Sequence, residues 1–440
     1  MKPVMSEMRT AVVGALIVTL GPLSLALYTP AMPMLVEAFG TTPAAVKLTL
    51  SVYFFGFAFS QLACGPLSDA YGRRPVALGF FAVYALGSVV AALSASIDWL
   101  LAGRLLQGVG AAAGIAISRA IVRDQFTGQN SARILNLIGL MLAIAPAMAP
   151  TLGGLILGTV GWHAIFLVMA VYGLVVVLLF AGVPETNAAR NPDNARPSRV
   201  LRNYATLLAD RRFMRAGLVL GLTLGGLYTL AALLPFVMIE TVGMTPTHFG
   251  MAMLLQTGSY TAGAALSGRL LHRVDARRLI PAGLALVLLG ALGFAVGLRL
   301  LPPSLASVMG PAALWAFGIA LVMPGATSDA LAGYPTIAGA ASALTGFLQI
   351  GGGLAGSTAA ALLFANPFVA LTDVIPGMAV LAVIVHVLLG EGGRRTASAP
   401  APADLEVAVD PAAVLGAGGD EIEAALARRS EKAAGGRGRP

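Results

Sequence analysis

The chain has 440 residues, 57% of them hydrophobic and only 11% charged, with a mean hydropathy of +0.84. A soluble chain of ordinary composition carries about 25% charged residues, so an array of soluble domains is excluded and an all-α integral membrane protein is indicated. The formal net charge of +8 invites a nucleic-acid reading. No basic patch outside the apolar runs alternates with base-stacking aromatics, so no nucleic-acid partner is expected.

In chain order the apolar runs fall at 11–36, 46–66, 75–96, 99–122, 133–158 and 162–182. After a polar stretch they resume at 214–239, 248–268, 279–299, 305–327, 338–365 and 368–390. Each is long enough to cross a hydrocarbon core about 30 Å thick, which predicts about twelve spanning helices in a lipid bilayer. Their Gly and Pro content is tolerated in lipid, where neighbouring helices re-satisfy the backbone. The first run is long enough to span and is followed by others, so it is expected to be a membrane helix rather than a cleaved leader.

Basic residues sort by side. With a cytoplasmic N-terminus, that face receives Lys2, Arg9, Arg73, Arg74, Arg119, Arg123, Arg133, the 190–215 and 269–278 loops and the C-terminal tail. Lys47 and Arg299 fall on the other side, and Arg104 lies within a run. This bias follows the positive-inside rule and places both termini in the cytoplasm. The single cysteine, Cys64, sits in the second run, so no intrachain disulfide forms.

The polar stretch divides the chain into a first six-helix bundle at 1–182, a cytoplasmic linker at 183–212, a second bundle at 213–390 and a tail at 391–440. The tail is rich in Ala, Gly, Pro and charge, a composition that predicts disorder, with a short helix at 419–429 as a lesser reading. An internal repeat supports the division. Aligning Gly65 with Gly268 puts Leu67 over Leu270, His272 at the place of Asp69 and Arg277 at the place of Arg74. Parallel repeats of this kind are a transporter architecture, with the substrate site between the halves near midplane.

Several motifs are specific in combination. Gly65-x-Leu67-x-Asp69-x-x-Gly72-Arg73-Arg74 resembles the signature loop of the major facilitator superfamily, and Arg104-x-x-Gln107-Gly108 resembles a second element of it. Ala145 through Gly154, with Pro146, Pro150 and Gly153, followed by Gly161-Trp162-His163, resembles the drug/proton antiporter motif. Tyr28-Thr29-Pro30-Ala31-Met32-Pro33, Pro324-Gly325-Ala326 and the 338–344 stretch are similar to the bicyclomycin/chloramphenicol-resistance branch. The resemblance covers roughly 10–390. It implies the major-facilitator fold of twelve helices in two six-helix bundles, in a bacterial inner membrane. It also implies a monomeric exporter of small lipophilic or weakly polar compounds, with the proton as coupling ion and alternating access. One position departs: the branch typically has an aspartate two residues before the tyrosine of its first-span motif, and here that position is Ala26. A neutral or anionic substrate is therefore expected in place of a cationic one.

The motif residues suggest roles. Asp69 and Arg73 are four apart, a spacing that lets opposite charges meet, and Gly72 supplies a permissive turn. With Arg123 and Asp124 as candidate partners they are expected to form an electrostatic latch that tethers the halves on the cytoplasmic side in one state and releases in the other. A charge inside a span should face the bundle interior, so Arg104 is expected to bind carbonyls, a carboxylate or an anionic substrate, with Gln107 one turn on. Pro146, Pro150 and Gly153 should make a bend and a helix-contact surface that, by the resemblance, seals the halves. Polar groups at membrane depth nominate Tyr28, Asn136, Gln256, Tyr260 and Gln349 for the substrate cavity. Asp69, Asp124, Glu37 and Glu240 are the nominated proton carriers. His163, His248, His272 and His386 are scattered without metal-ligand spacing, and no nucleophile–base pair is recognisable. No enzyme activity, metal or cofactor is expected. The competing reading is a facilitator or importer of a small metabolite on the same fold, without proton antiport.

Overall fold

The computed structural model describes residues 3–390 apart from 189, 335 and 336, and leaves out the side chains of 132, 136, 140 and 143. The expected tail at 391–440, with its helix at 419–429, lies outside the described residues. Long uncharged runs become helices almost end to end, and polar caps set where they begin. Ser6, Thr42, Ser96, Thr245 and Ser304 each accept a hydrogen bond from the backbone N–H three residues on. These bonds satisfy donors that the first helical turn leaves orphaned.

In the first half the helices are α1 (Glu7–Ala38), α2 (Pro43–Tyr71), α3 (Arg73–Ala92), α4 (Ile97–Gln125), α5 (Gly128–Thr159) and α6 (Trp162–Ala181). A short amphipathic helix, α7 (Pro197–Ala209), lies in the connecting segment. The second half has α8 (Arg211–Thr241), α9 (Pro246–Leu270), α10 (Ala276–Leu300), α11 (Leu305–Leu331), α12 (Ala338–Leu362) and α13 (Pro367–Leu388). In α1 the prolines at 30 and 33 tighten the run into a 3₁₀ turn at Thr29–Ala31.

Ten of these helices are long and apolar enough to cross a membrane. The expectation of about twelve exceeds that number by α9 and α12. Each has 25 residues, enough to span, but both are diluted by Gly, Ser, Thr and Gln. Their packing explains the dilution: α9 lies against α5 and α12 against α2, so both turn a large surface to the opposite half instead of to lipid.

The packing repeats between halves. In the first, α1 packs on α5, α2 on α4, α3 on α4 and α3 on α6. In the second, α8 packs on α12, α9 on α11, α10 on α11 and α10 on α13. One apolar core is centred on Leu20, Phe54, Phe81 and Phe166, with Ala232, Phe236 and Ile350 reaching in from the second half. Another is built from α8 to α13 around Leu233, Phe294 and Trp315. Helix α7 joins them at the loop end. Its Tyr204 and Leu207 pack with Phe213, Ala341 and Leu344, while the Tyr204 hydroxyl donates to the Leu62 carbonyl of α2 at 2.7 Å. Burial pushes the Tyr204 phenol up to about 12, so it remains a neutral donor at physiological pH.

Candidate functional site

The face that carries the start of α1 and the α2–α3 loop is here called the basic face, and its opposite the far face. Between the halves, a cavity of about 580 Å³ lies at the basic face. Its walls come from α1, α2, the start of α3, α4 and α5 of the first half and from α11, α12 and the segment before α12 of the second, with the linker and α7 at one edge. Val18, Ile115, Leu135, Ile138, Leu142 and Leu331 make the apolar part, and Gln61, Asp69, Arg73, Arg119, Arg123 and Arg199 the polar part.

The far face is closed by contacts across the halves. The Lys47 ammonium of α2 is fully buried and donates to the Ala360 carbonyl of α12 at 2.7 Å and to the Phe364 carbonyl just beyond its end at 3.2 Å. Carbonyls at a helix C-terminus carry partial negative charge and lack intrahelical donors, which suits a cation. One turn on, the Ser51 and Ser357 hydroxyls meet at 2.9 Å, and the Phe54 and Tyr228 rings meet at 5.4 Å. Helices α5 and α9 interlock in the same region. Thr151 donates to the Gly250 carbonyl at 3.0 Å and Thr247 to the Gly154 carbonyl at 3.3 Å. A Cβ on Gly154 would lie 2.5 Å from the Pro246 carbonyl oxygen, so only glycine allows this approach. Gly153 packs against the Leu27 carbonyl of α1, and the Pro150 carbonyl against Gly250. The proline- and glycine-rich stretch of α5 is thus a contact surface to α1 and to α9.

At the basic face the signature loop folds into a charge cluster. Gly72 has φ +107°, and its amide-lined turn starts α3 beside the Glu185 carboxylate. That carboxylate accepts from the Arg73 amide at 2.9 Å and the Arg74 amide at 3.1 Å, which completes the α3 N-terminus. The buried Arg73 guanidinium pairs with Asp69 and, at 2.9 Å, with Asp124, and also donates to Ser68 at 2.8 Å. Thr186 donates to Asp124 at 3.1 Å. Every partner belongs to the first half or to the start of the linker. Among the described residues no second-half residue reaches the cluster, so in this conformation, with the basic face open, the loop does not bridge the halves. Arg123 has no ion-pair partner among the described residues and lies on the cavity wall. The second half holds a counterpart in Asp329, paired with Arg277 at 2.5 Å and Arg212 at 3.2 Å. Arg277 plays the part of Arg73, one residue away from the register in which it aligns with Arg74.

Deep in the first half, Arg104 is fully buried, with no snorkelling to the surface. Its guanidinium carbon lies 4.6 Å from the Tyr28 ring centroid and 4.3 Å from that of Tyr53, a cation–π sandwich. One nitrogen donates to Gln107 at 2.8 Å, and Gln107 in turn donates to Ser88 at 2.8 Å. Nε and the second terminal nitrogen have no partner among the described residues. Ala26, the position where the branch carries its carboxylate, supplies none.

The nominated substrate residues do not converge on the cavity. Tyr28, Arg104 and Gln107 form one network inside the first half. Gln256 is buried on α9 with its amide nitrogen unpartnered among the described residues, while Tyr260 and Gln349 are half-buried on α9 and α12. None of these six lines the basic-face cavity. The Asn136 side chain lies outside the described residues. Glu37 and Glu240 are exposed at far-face helix ends, away from the basic-face cavity. Sequence reasoning passed over Gln61, Arg119, Arg199, Asn203 and Tyr204 on the cavity wall, and Lys47 at the far seal. Only the unbroken hydrophobicity around Lys47 signalled its burial.

An all-helical bundle of paired halves around a cleft is an architecture that membrane transporters use. The Major Facilitator Superfamily model matches residues 14–387, and the chain belongs to that superfamily. It is 35% identical over 253 residues to the uncharacterized MFS-type transporter YdgK of Bacillus subtilis, covering 57% of this chain and 63% of that protein. It is 28% identical over 274 residues to a bicyclomycin resistance protein homolog of Haemophilus influenzae, covering 62% of this chain and 69% of that one. To a chloramphenicol resistance protein of Pseudomonas aeruginosa it is 30% identical over 282 residues, 63% of this chain and 65% of that one. The chain thus matches about two thirds or less of the length of the first and third of these relatives. Among solved structures, the human organic anion transporter MFSD10 superposes with TM-score 0.65 at 21% identity, over 88% of this chain and all of that one. The D-xylose–proton symporter gives TM-score 0.68 at 14% identity, over 86% of this chain and 97% of that one. At these identities the likeness is one of fold.

Proposed function

We propose that the protein exports small lipophilic or weakly polar compounds from the bacterial cytoplasm by alternating access, as a monomer, with protons moving inward in exchange. The two halves, 1–182 and 213–390, rock about their shared interface, and α9 and α12 complete a set of twelve spans. The positive-inside distribution supports a cytoplasmic basic face; in this reading the cavity open there is the loading state and the Lys47–Ser51–Phe54 seal is the closed exit. The observation that carries this reading is the asymmetry itself: a 580 Å³ cleft at one face and buried cross-half contacts at the other. Relatives named for bicyclomycin, chloramphenicol and multidrug resistance support the substrate class. Asp69 and Asp124 are the coupling carboxylates of this reading, because they share the one Arg73 guanidinium at the mouth of the cavity and a rearrangement of the cluster would free one of them.

A facilitator without proton antiport is the second reading. It is favoured by Ala26 and by the lack of an unpaired buried carboxylate among the described residues. Inverted vesicles with an acidified lumen separate the two. Adding chloramphenicol or bicyclomycin is expected to turn the lumen alkaline and to load it with compound. Compound uptake with no pH change supports facilitation, and no uptake of any compound in a broad panel contradicts export.

A further inference from the structure

The basic-face cavity holds more positive charge than topology requires. Arg119 and Arg123 stand one turn apart on α4, and Arg199 of α7 faces them across the same cavity. All three are solvent-accessible, and none has an ion pair or side-chain hydrogen bond among the described residues. The one carboxylate on the wall among those residues is Asp69, and Arg73 already occupies it. Basic residues at this face are ordinary in a membrane protein. Three unpaired guanidiniums converging on one cleft, with apolar side chains behind them, are not.

Resting on the export reading above, we propose that this cavity is the loading site for amphiphilic anions. A carboxylate, sulfonate or phosphate group docks on Arg119, Arg123 and Arg199, while an apolar body lies against Ile115, Ile138 and Leu142. Guanidinium groups suit such oxyanions because their planar N–H forks match two oxygens at once. The low-dielectric walls strengthen the field of the cluster and raise the local concentration of anions. The proposal also accounts for the centre of the protein. An inside-negative membrane potential drives an anion outward by itself, so an anion carrier needs no carboxylate where the branch has one and this chain has Ala26.

The test is isothermal titration calorimetry on the full-length protein in phosphatidylcholine nanodiscs, against empty discs. The probes are anilinonaphthalene sulfonate and phenylnaphthylamine, the same ring system without the sulfonate. The sulfonate is expected to bind about tenfold more tightly than the neutral probe, and to weaken about tenfold in an Arg119→Gln/Arg123→Gln double variant. Arg119→Lys/Arg123→Lys should restore most of that loss, and neutral-probe affinity should not change in either variant, which shows that the cavity is intact. Rising salt should weaken only the sulfonate. Phosphatidylglycerol in the discs tells the two sources of anion apart: competition marks a lipid headgroup as the natural occupant, and its absence marks a soluble one. Equal affinity for the two probes, no sulfonate binding above empty discs, or full sulfonate affinity in the Gln variant overturns the proposal. Coupled export of a neutral compound beside any of these results leaves the export reading standing.

Discussion

Arg73→Ala is expected to abolish measurable transport and to lower the melting temperature of the purified protein, whereas Arg74→Ala leaves both near wild type. Arg73 is 7% exposed and ties Asp69, Asp124 and Ser68 together at the ends of α2, α3 and α4. Removing it strands two carboxylates, one of them well shielded. Breaking a buried pair from one side costs about 3 kcal/mol or more, since the remaining charge loses its partner and recovers little hydration. Arg74 is exposed, and its guanidinium holds the Ala181 carbonyl at 2.6 Å. An exposed interaction of that kind contributes about 1 kcal/mol or less. Asp69→Asn is the gentler probe, expected to depress transport while leaving insertion intact. Differential scanning fluorimetry beside vesicle uptake checks all three. A well-expressed Arg73→Ala protein with normal uptake removes the cluster from the mechanism.

Lys47→Met is expected to raise thermal stability while lowering transport about tenfold. Lys47 carries a charge in a fully buried position and is compensated by two carbonyls and no carboxylate. Taking an ammonium out of water costs several kcal/mol, and two hydrogen bonds return only part of it, so an apolar side chain of similar length favours the sealed state. When the far face opens, lysine regains water and methionine loses its burial. The substitution therefore shifts the closed–open balance toward closed by about 1.4 kcal/mol, or tenfold in population. A lower melting temperature with unchanged uptake shows instead that the carbonyl bonds dominate and that the seal does not limit the cycle.

Much of the fold was legible because lipid imposes simple rules. Charge-free runs of spanning length foretold where helices lie. The α9 and α12 helices were legible by length, although their composition is softened by the opposite half they face. Local spacing also carried chemistry: Asp69 and Arg73 four apart, and Arg104 and Gln107 three apart, meet as helical geometry requires. What the sequence hid was long-range. Lys47 finds carbonyls 313 and 317 positions away, and nothing near it in sequence announces them. Arg119 and Arg199 look like ordinary topological anchors until the fold sets them across one cavity. Glu37 and Glu240 show the converse, since position near a helix end does not reveal how far each side chain faces water.

The central claim is that the far-face seal must open once in each transport cycle. Ser51 and Ser357 offer the most direct test, since their hydroxyls meet at 2.9 Å across the halves and both are buried. In a Cys64→Ala background, Ser51→Cys with Ser357→Cys places two thiols within disulfide reach. Oxidation is expected to stop substrate flux in proteoliposomes, and reduction to restore it, while either single-cysteine protein responds to neither treatment. Undiminished flux through protein shown by mass spectrometry to be fully cross-linked would contradict the account.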